Sequence, residues 1–257
     1  MSRNRLILGA AAAIVVVVAG GLAWWFGVFS DTPEEATIEA AVEAVTADDE
    51  DGGDDAAADD GAAADDGAAV DDGAAAAADG DLSGTWTVVP DENATFVGYR
   101  INEVLSSIGD FEVVGRTGDV SGTMVLDGTS ITATELVAAM DTLTTDNGIR
   151  DRALGSQSLE TNQFPEATFV LTSPIELGEI PAEGETISVT ATGDLTIHGV
   201  TRSVDFPLDA QLAGDLIVAV GQLRVLLADY DIGLPSSPSV VSVEDNALLE
   251  LSVAFGR

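Results

Sequence analysis

The stretch TISVTATGDLTIHGVTRSVDFPLDAQL, residues 186–212, alternates apolar and polar residues in a way that predicts two β-strands joined by a two-residue turn. The turn is His198-Gly199, because glycine supplies the positive φ that tight hairpin turns need. Counting outward then places these pairs on one face: Ile197 with Val200, Leu195 with Arg202, Gly193 with Val204, Ala191 with Phe206, and Val189 with Leu208. All of them except Arg202 are apolar or glycine. Polar pairs occupy the other face, so a one-residue slip would mix the two sets and the pattern fixes the register.

Strand-like segments recur through residues 82–257, which we assign to one domain. They are rich in Val, Thr, Ile and Phe, and clusters of Gly, Pro, Asp or Asn bound them. The last segment, residues 247–255, alternates cleanly between apolar and polar residues. Eight or more antiparallel strands with one apolar face each predict an all-β domain, either a closed barrel or a sandwich.

Residues 146–164 interrupt the strand pattern. Ile149, Ala153 and Leu154 recur at helical spacing, which predicts one or two short helices that end near Gly155 and again before Pro165. We expect this segment to close one end of the β-structure or to lie across its side.

The composition excludes several classes of function. The 257 residues include nine arginines, no lysine, one histidine and no cysteine, and the 45 acidic residues give a net charge of −36. This charge opposes nucleic-acid binding, which needs a basic surface. A single histidine without cysteine leaves no zinc site of the usual kind and no disulfide. The absence of lysine removes P-loop and Schiff-base chemistry.

Residues 1–30 predict a transmembrane anchor. Arg3 and Arg5 precede an apolar run over residues 6–29, and about 20 apolar residues are enough to span a bilayer. Arginines before the run and acidic residues after it place the N-terminus inside, so the chain would be a single-pass protein of the cell membrane with an extracytoplasmic C-terminal domain. A cleaved signal peptide is the alternative. Against it, the run is longer than usual and no A-x-A-like site follows Trp25.

Residues 31–81 predict an acidic, disordered linker. The segment has no basic residue, and its middle part repeats an Asp-Asp-Gly-Ala pattern whose charges repel one another. Its carboxylates do not follow the spacing of an EF-hand loop, so no calcium site is predicted. A short amphipathic helix around residues 34–45 is compatible with this assignment.

Several motifs resemble the YceI-like family of extracytoplasmic, lipocalin-like, polyisoprenoid-binding proteins. In chain order they are GTWTV (84–88) followed by Pro90, FVGYR (96–100), GIRD (148–151) with Phe164-Pro165 and Thr168-Phe169, GDLTIHGVT (193–201), and Asp229-Tyr230. Each motif is modest alone, and the order and spacing over residues 82–257 are specific. The resemblance implies an eight-stranded antiparallel lipocalin-like barrel whose interior holds a long isoprenoid chain.

The chain departs from the family pattern at two places. Many family members carry a histidine just after the second strand, where this chain has Asn102 and Glu103. An arginine is often found shortly before the Asp-aromatic pair, where Ala228 lies nearest here. These departures concern the contacts of a ligand headgroup and leave the barrel prediction intact.

An eight-stranded barrel is just wide enough to hold one slender ligand, and each methylene that leaves water contributes about 0.8 kcal/mol. The candidate lining residues are Phe96, Phe169, Ile187, Val189, Leu195, Ile197, Val204, Phe206, Leu249, Leu251 and Val253. Plain core packing is the alternative role for each of them. Only a continuous cavity in the structure distinguishes the two.

Four polar residues are further candidates for a role at the barrel opening. Arg202, a cation on an apolar face, must reach water or a partner, so it either contacts a ligand headgroup at the rim or pairs with an acidic residue. Arg150 and Asp151 are expected to pair with each other and hold the helical segment in place. His198 is expected to be an exposed turn residue or a donor that locks the turn, with a ligand or metal role as the alternative.

We therefore predict a membrane-tethered, extracytoplasmic protein that holds a polyisoprenoid or isoprenoid quinone without a covalent cofactor and without catalysis. The only histidine lies in a hairpin turn and no G-x-S-x-G motif occurs, which disfavours a serine hydrolase. One alternative is a non-catalytic adhesion or scaffold module of the cell envelope that uses its acidic surface and has a collapsed interior. A hydrolase would instead show converging polar groups in a cleft. The sequence leaves dimerisation open.

Overall fold

The computed structural model describes residues 32–51, 82–107, 109–234 and 240–257. Its strands are β1 (Gly84–Val89), β2 (Phe96–Leu105), β3 (Gly109–Thr117), β4 (Val120–Asp127), β5 (Ser130–Ala139), β6 (Glu166–Leu171), β7 (Ile175–Glu176), β8 (Thr186–Ile197), β9 (Val200–Ala213), β10 (Leu216–Leu226), β11 (Val240–Val243) and β12 (Asn246–Gly256). The helices are α1 (Ile38–Asp51) and α2 (Gly148–Ala153). Shorter helical turns cover Met140–Thr142, Leu154–Ser158 and Leu227–Tyr230.

Eight strands close into an antiparallel barrel in the order β1, β4, β5, β6, β8, β9, β10 and β12, and β12 pairs back onto β1. β12 pairs with β1 through residues 254–256 and with β2 through residues 248–252, so β2 continues the wall where β1 ends. β3 pairs with β2, and a backbone bridge from Arg116 to Thr144 joins β3 to the segment that follows β5. The predicted eight-stranded antiparallel barrel is confirmed.

The β8–β9 hairpin has the register that the sequence pattern predicts, from the Ile197 and Val200 pair outward to the Val189 and Leu208 pair. His198 and Gly199 form the turn with φ values of 51° and 72°, as a two-residue turn of this class requires. The polar face is tied by side-chain hydrogen bonds, for example the 2.7 Å bond that Thr192 Oγ1 donates to Asp205. Alternation and turn chemistry were therefore sufficient to specify this element.

Two strand predictions differ from the structure. The sequence of residues 168–177 has the composition of one continuous strand, but it forms β6 and β7 separately, because Pro174, between them, cannot donate a ladder hydrogen bond. β11, which pairs with β2, was not predicted. Its four residues are too short a run to give a clear periodic signal.

Helix α1 packs on the outside of the barrel, and it lies within the residues predicted as linker. Its apolar residues Ile38, Ala41 and Val45 are buried against one outer patch, formed by Ala94, Ala213, Val218, Val220 and Ala254. Their spacing of three and four residues places them on one helix face. The short helix considered around residues 34–45 is therefore present as residues 38–51, where the disordered linker assignment is corrected, while residues 31 and 52–81 lie outside the described residues.

The predicted membrane anchor, residues 1–30, also lies outside the described residues. Within the part of the chain that the structure does describe, no helix combines the length and the apolar character needed to cross a membrane.

Candidate functional site

The inward side chains of the barrel strands enclose a cavity of about 230 Å³. A site for a single water needs only about 10–15 Å³ of such volume, so this cavity is more than ten times larger than a site for one water. Its wall is almost wholly apolar, with Phe169 and Phe206 in edge-to-face contact at a ring-centre distance of 6.4 Å. The barrel interior is therefore an apolar space of ligand size.

Eight of the eleven candidate lining residues lie on this cavity wall. They are Phe169, Val189, Leu195, Ile197, Phe206, Leu249, Leu251 and Val253. In β12, Phe255 joins them because the strand runs without a bulge and every second residue faces inward.

The other three candidate residues lie elsewhere. Phe96 stacks against the guanidinium of Arg116, whose Cζ lies 4.1 Å from the ring centre. The first inward-facing residue of β2 is the next one, Val97, so Phe96 is not on the cavity wall. Ile187 lines a smaller cavity of about 50 Å³ that shares Met124, Val189 and other residues with the main one. Val204 packs against a cluster of apolar residues that includes Leu195, Ile197 and Tyr230, and it does not line the main cavity.

The cap segment, residues 146–164, forms part of the cavity wall through Leu154, Ser158 and Leu159. As predicted, it begins with a short helix, α2, whose N-cap Asn147 accepts a hydrogen bond from the backbone N–H of Ile149 at 2.9 Å.

Arg150 and Asp151 do not pair with each other, contrary to the prediction. Neighbouring residues do not face each other on a helix, whereas Asp146 lies one turn before Arg150 and binds it. Asp151 instead accepts hydrogen bonds from the backbone N–H and hydroxyl of Thr145, at 2.9 and 2.6 Å. Both residues still hold the cap segment in place, through partners other than the predicted one.

His198 joins the cap segment to the turn at Leu227–Tyr230. Its Nδ1 donates to the carbonyl oxygen of Tyr230 at 3.1 Å, and its Nε2 pairs with Glu160 of the cap segment at 3.0 Å. Phe164 of the cap segment contacts the imidazole edge-on at a ring-centre distance of 4.6 Å. His198 therefore locks the turn, as one of the predicted alternatives states, and its side chain is buried rather than exposed.

Arg202 does not face the cavity. Its side chain is exposed, and Nε donates to the carbonyl oxygen of Asp229 at 2.8 Å. This contact is not the predicted ion pair, and a headgroup contact at the rim stays a prediction. The guanidinium reaches past the apolar face and anchors the backbone of the Leu227–Tyr230 turn.

Three polar groups on the cavity wall were not among the predicted site residues, although Glu103 was noted as a departure from the family pattern. The hydroxyl of Tyr99, Oε2 of Glu103 and Oγ of Ser158 are buried without a hydrogen-bond partner among the described residues. For Tyr99 and Glu103, the sequence signal was the period of two in β2. This period places both residues, together with Ile101, on the inward face with Val97.

The pKa of Tyr99 is raised by its buried position on the cavity wall. Burial raises the pKa of its phenol, and the carboxylates of Glu103, Asp151 and Asp146 raise it further against the opposing charge of Arg150. The phenol is therefore a hydrogen-bond donor at any ordinary pH. Among the described residues, no group of three His, Cys, Asp or Glu side chains is placed to hold a metal ion.

Comparison with known proteins gives concordant results. A family model described as the YceI-like domain matches residues 86–255. A UPF0312 protein of Vibrio parahaemolyticus is 29% identical over 153 residues, which are 56% of this chain and 77% of that protein. A UPF0312 protein of Shewanella sp. strain MR-4 is 29% identical over 155 residues, 57% of this chain and 78% of that protein.

A solved structure shares the fold. It is a polyisoprenoid binding domain from Saccharophagus degradans, implicated in plant cell wall breakdown, with a TM-score of 0.53 and 16% identity over 68% of this chain and 98% of that one.

Proposed function

Because this chain belongs to the YceI-like domain family, as the sequence motifs predicted, we propose that its barrel holds the hydrocarbon tail of a polyisoprenoid or of an isoprenoid quinone. The observation that carries the proposal is the apolar cavity of about 230 Å³ inside the barrel. An apolar tail gains about 0.8 kcal/mol for each methylene that it transfers from water to such a wall. The structural neighbour that is itself a polyisoprenoid binding domain supports the same ligand class.

The shape of the interior also separates this proposal from the adhesion or scaffold alternative. A module that acts only through its acidic surface has no need of a hollow core, and a filled interior is the more stable arrangement. The observed cavity therefore favours ligand binding.

We propose binding without catalysis. Within the described residues, the hydrogen bonds of His198 go to Glu160 and to the backbone of Tyr230, and neither partner is a nucleophile for acyl transfer. The polar groups of the cavity wall are few and lie on a largely apolar surface, in contrast to the converging groups of a hydrolase cleft.

The direct test is the lipid content of the purified protein. The full chain, purified in mild detergent, is extracted with organic solvent, and mass spectrometry is expected to detect an isoprenoid lipid in an amount comparable to that of the protein. Wild-type protein that carries no isoprenoid lipid and takes up none from mixed micelles would contradict the proposal.

A matched pair of substitutions locates the lipid. Ala191 faces the cavity, and the preceding residue, Thr190, is exposed on the outside of the same strand. Ala191→Phe places a ring in the space of the tail, and we expect it to lower bound lipid by about tenfold, equivalent to about 1.4 kcal/mol. Thr190→Phe adds the same ring outside the barrel and is expected to leave the lipid content unchanged.

We further propose that the domain works outside the cytoplasm and is tethered to the cell membrane by residues 1–30. Two arginines before an apolar run of membrane-spanning length support this orientation. Protease added to spheroplasts is expected to digest a C-terminal epitope tag on the intact chain. Protection of the tag until the membrane is lysed would contradict the proposal.

A further inference from the structure

Three side chains of the cavity wall carry polar atoms that are shielded from solvent. Ser158 and Glu103 are 2% and 6% exposed, and the hydroxyl of Tyr99 is also shielded from solvent. None of the three polar atoms, Ser158 Oγ, Glu103 Oε2 and the Tyr99 hydroxyl, has a hydrogen-bond partner within the part of the chain that the structure describes. A buried polar atom without a partner costs about 1–3 kcal/mol, so three on one cavity wall indicate that a bound molecule supplies the partners.

The charges around these atoms are mostly negative. Glu103 Oε2 lies 3.6 Å from Arg150 Nη2, too far for a hydrogen bond but close enough for an ion pair. Arg150 also binds Asp146, and the charged groups that act on the Tyr99 hydroxyl are Arg150 against Glu103, Asp151 and Asp146. Among these groups Arg150 is the cation, and three carboxylates, of which Glu103 is buried, disfavour the entry of a phosphate because like charges repel.

The polar groups of the cavity wall include both hydrogen-bond donors and hydrogen-bond acceptors. The carboxylate of Glu103 accepts, the phenol of Tyr99 donates, and the hydroxyl of Ser158 does either. A quinone carbonyl only accepts, so it offers no hydrogen-bond donor to Oε2 of Glu103. An alcohol both donates and accepts, and it can therefore serve the carboxylate and the phenol together.

We propose that the cavity selects a polyisoprenoid alcohol, whose uncharged terminal hydroxyl donates to Glu103 and accepts from Tyr99 or Ser158. This inference rests on the proposed function and specifies the chemical class of its ligand. The hydrocarbon tail provides the affinity, and the three polar residues set the selectivity for the end group.

The test uses three ligands with the same geranylgeranyl tail, namely geranylgeraniol, geranylgeranyl monophosphate and menaquinone-4. Their affinities for the full chain in mild detergent are measured by displacement of a fluorescent lipid. The alcohol is expected to bind at least about tenfold more tightly than the monophosphate, and more tightly than the quinone. If none of the three binds, the proposed function falls and this inference falls with it. If the phosphate or the quinone binds as tightly as the alcohol, lipid binding stands and the inference is overturned.

Glu103→Gln identifies the source of the selectivity. The variant keeps the shape of the side chain, removes the negative charge and adds an N–H donor. We expect the alcohol-to-phosphate affinity ratio to fall by about tenfold and quinone binding to strengthen. Glu135→Gln removes one charge from an exposed position on β5 and should leave the ratios unchanged. An unchanged ratio in Glu103→Gln, with the fold intact by circular dichroism, would also overturn the inference.

Discussion

Tyr99 and Tyr230 are the only two tyrosines of the chain, and the hydroxyls of both are buried without a partner in the described residues. Burial raises the pKa of each phenol. Asp229 adds to the effect at Tyr230, and Arg202 opposes it. In the unfolded chain both groups titrate near pH 10, their ordinary value. The folded protein therefore keeps protons that the unfolded chain loses.

We expect the free energy of unfolding to fall as the pH rises above about 10, because the unfolded state then binds fewer protons than the folded state. The slope is at most about 1.4 kcal/mol per pH unit for each tyrosine, and well below this pH both states are protonated and the contribution vanishes. Urea unfolding between about pH 8 and pH 11 measures the slope. Tyr99→Phe and Tyr230→Phe should each reduce it, and a slope that neither variant changes would contradict this account.

At the scale of single residues, strand parity explains which of the candidate lining residues face the cavity. Leu249, Leu251 and Val253 face the cavity because an uninterrupted strand maintains a period of two over its whole length. Phe96 was placed wrongly because β2 begins beside a turn, where the sequence leaves the first strand residue uncertain by one. The same parity places Glu103 inside, although a charged residue on an apolar face is rare enough to be assigned outside by default.

At the scale of elements, the cap segment is held by a few contacts that converge on the β8–β9 turn. His198 binds Glu160 on one side and the Tyr230 carbonyl on the other. Glu160, His198 and Asp231 are also the three described residues other than glycine with positive φ, at 45°, 51° and 52°. The segments that His198 joins thus contain three uncommon backbone conformations. We infer that the hydrogen bonds of His198 to Glu160 and to the Tyr230 carbonyl maintain these conformations.

We expect His198→Asn to release the cap segment without disturbing the hairpin. Asparagine tolerates positive φ, so the turn is retained, while the shorter side chain loses both contacts of the imidazole. Two hydrogen bonds at about 0.5–1.5 kcal/mol each predict that amide hydrogen exchange in residues 148–164 accelerates by about tenfold or more. Exchange in β8 and β9 serves as the internal control, and equal acceleration there would indicate general loosening instead.

The contacts of the cap segment show which side-chain pairs the sequence could predict and which it could not. The pairing of Arg150 with Asp146 follows from helix geometry alone, because residues four apart share a face. The contacts of His198 with Glu160 and Tyr230 join residues 38 and 32 positions apart. No local pattern specifies such contacts, since they depend on how the barrel brings its end loops together.

At the scale of the whole molecule, helix α1 covers the outer face of β10, and the sequence of β10 reflects burial on both faces. The segment Leu216–Val220 of β10 is continuously apolar, with Ile217 and Ala219 toward the cavity and Val218 and Val220 beneath α1. A strand that is buried on both faces has such a run, whereas one that faces water on one side alternates. Such a run is a signal for a covering element. The short helix considered around residues 34–45 supplies it, although the acidic composition of residues 31–81 led to their assignment as a linker.

Glu250 connects distant parts of the chain at this outer face. Its carboxylate lies 2.7 Å from Arg100 Nε of β2 and 3.0 Å from Arg116 Nη2 of β3, and it accepts a 3.2 Å hydrogen bond from the backbone N–H of Ala36, just before α1. Glu250 is 2% exposed. Burial acts to lower the pKa of Arg100, but the hydrogen bonds and charges of Glu250 and Glu112 outweigh it and raise the pKa. The guanidinium therefore stays charged at every ordinary pH.

We expect Glu250→Gln to lower the free energy of unfolding by about 3–5 kcal/mol, because it removes the buried negative charge that two arginines face. Glu112→Gln is the matched control: that carboxylate binds the same Arg100 at 2.9 Å but is 40% exposed, so its loss should cost less than about 1 kcal/mol. Urea unfolding at neutral pH measures both values. Equal effects of the two substitutions would show that burial does not set the strength of these pairs. A large effect of Glu250→Gln alone, together with faster amide exchange in α1, would show that this carboxylate joins the helix to the barrel.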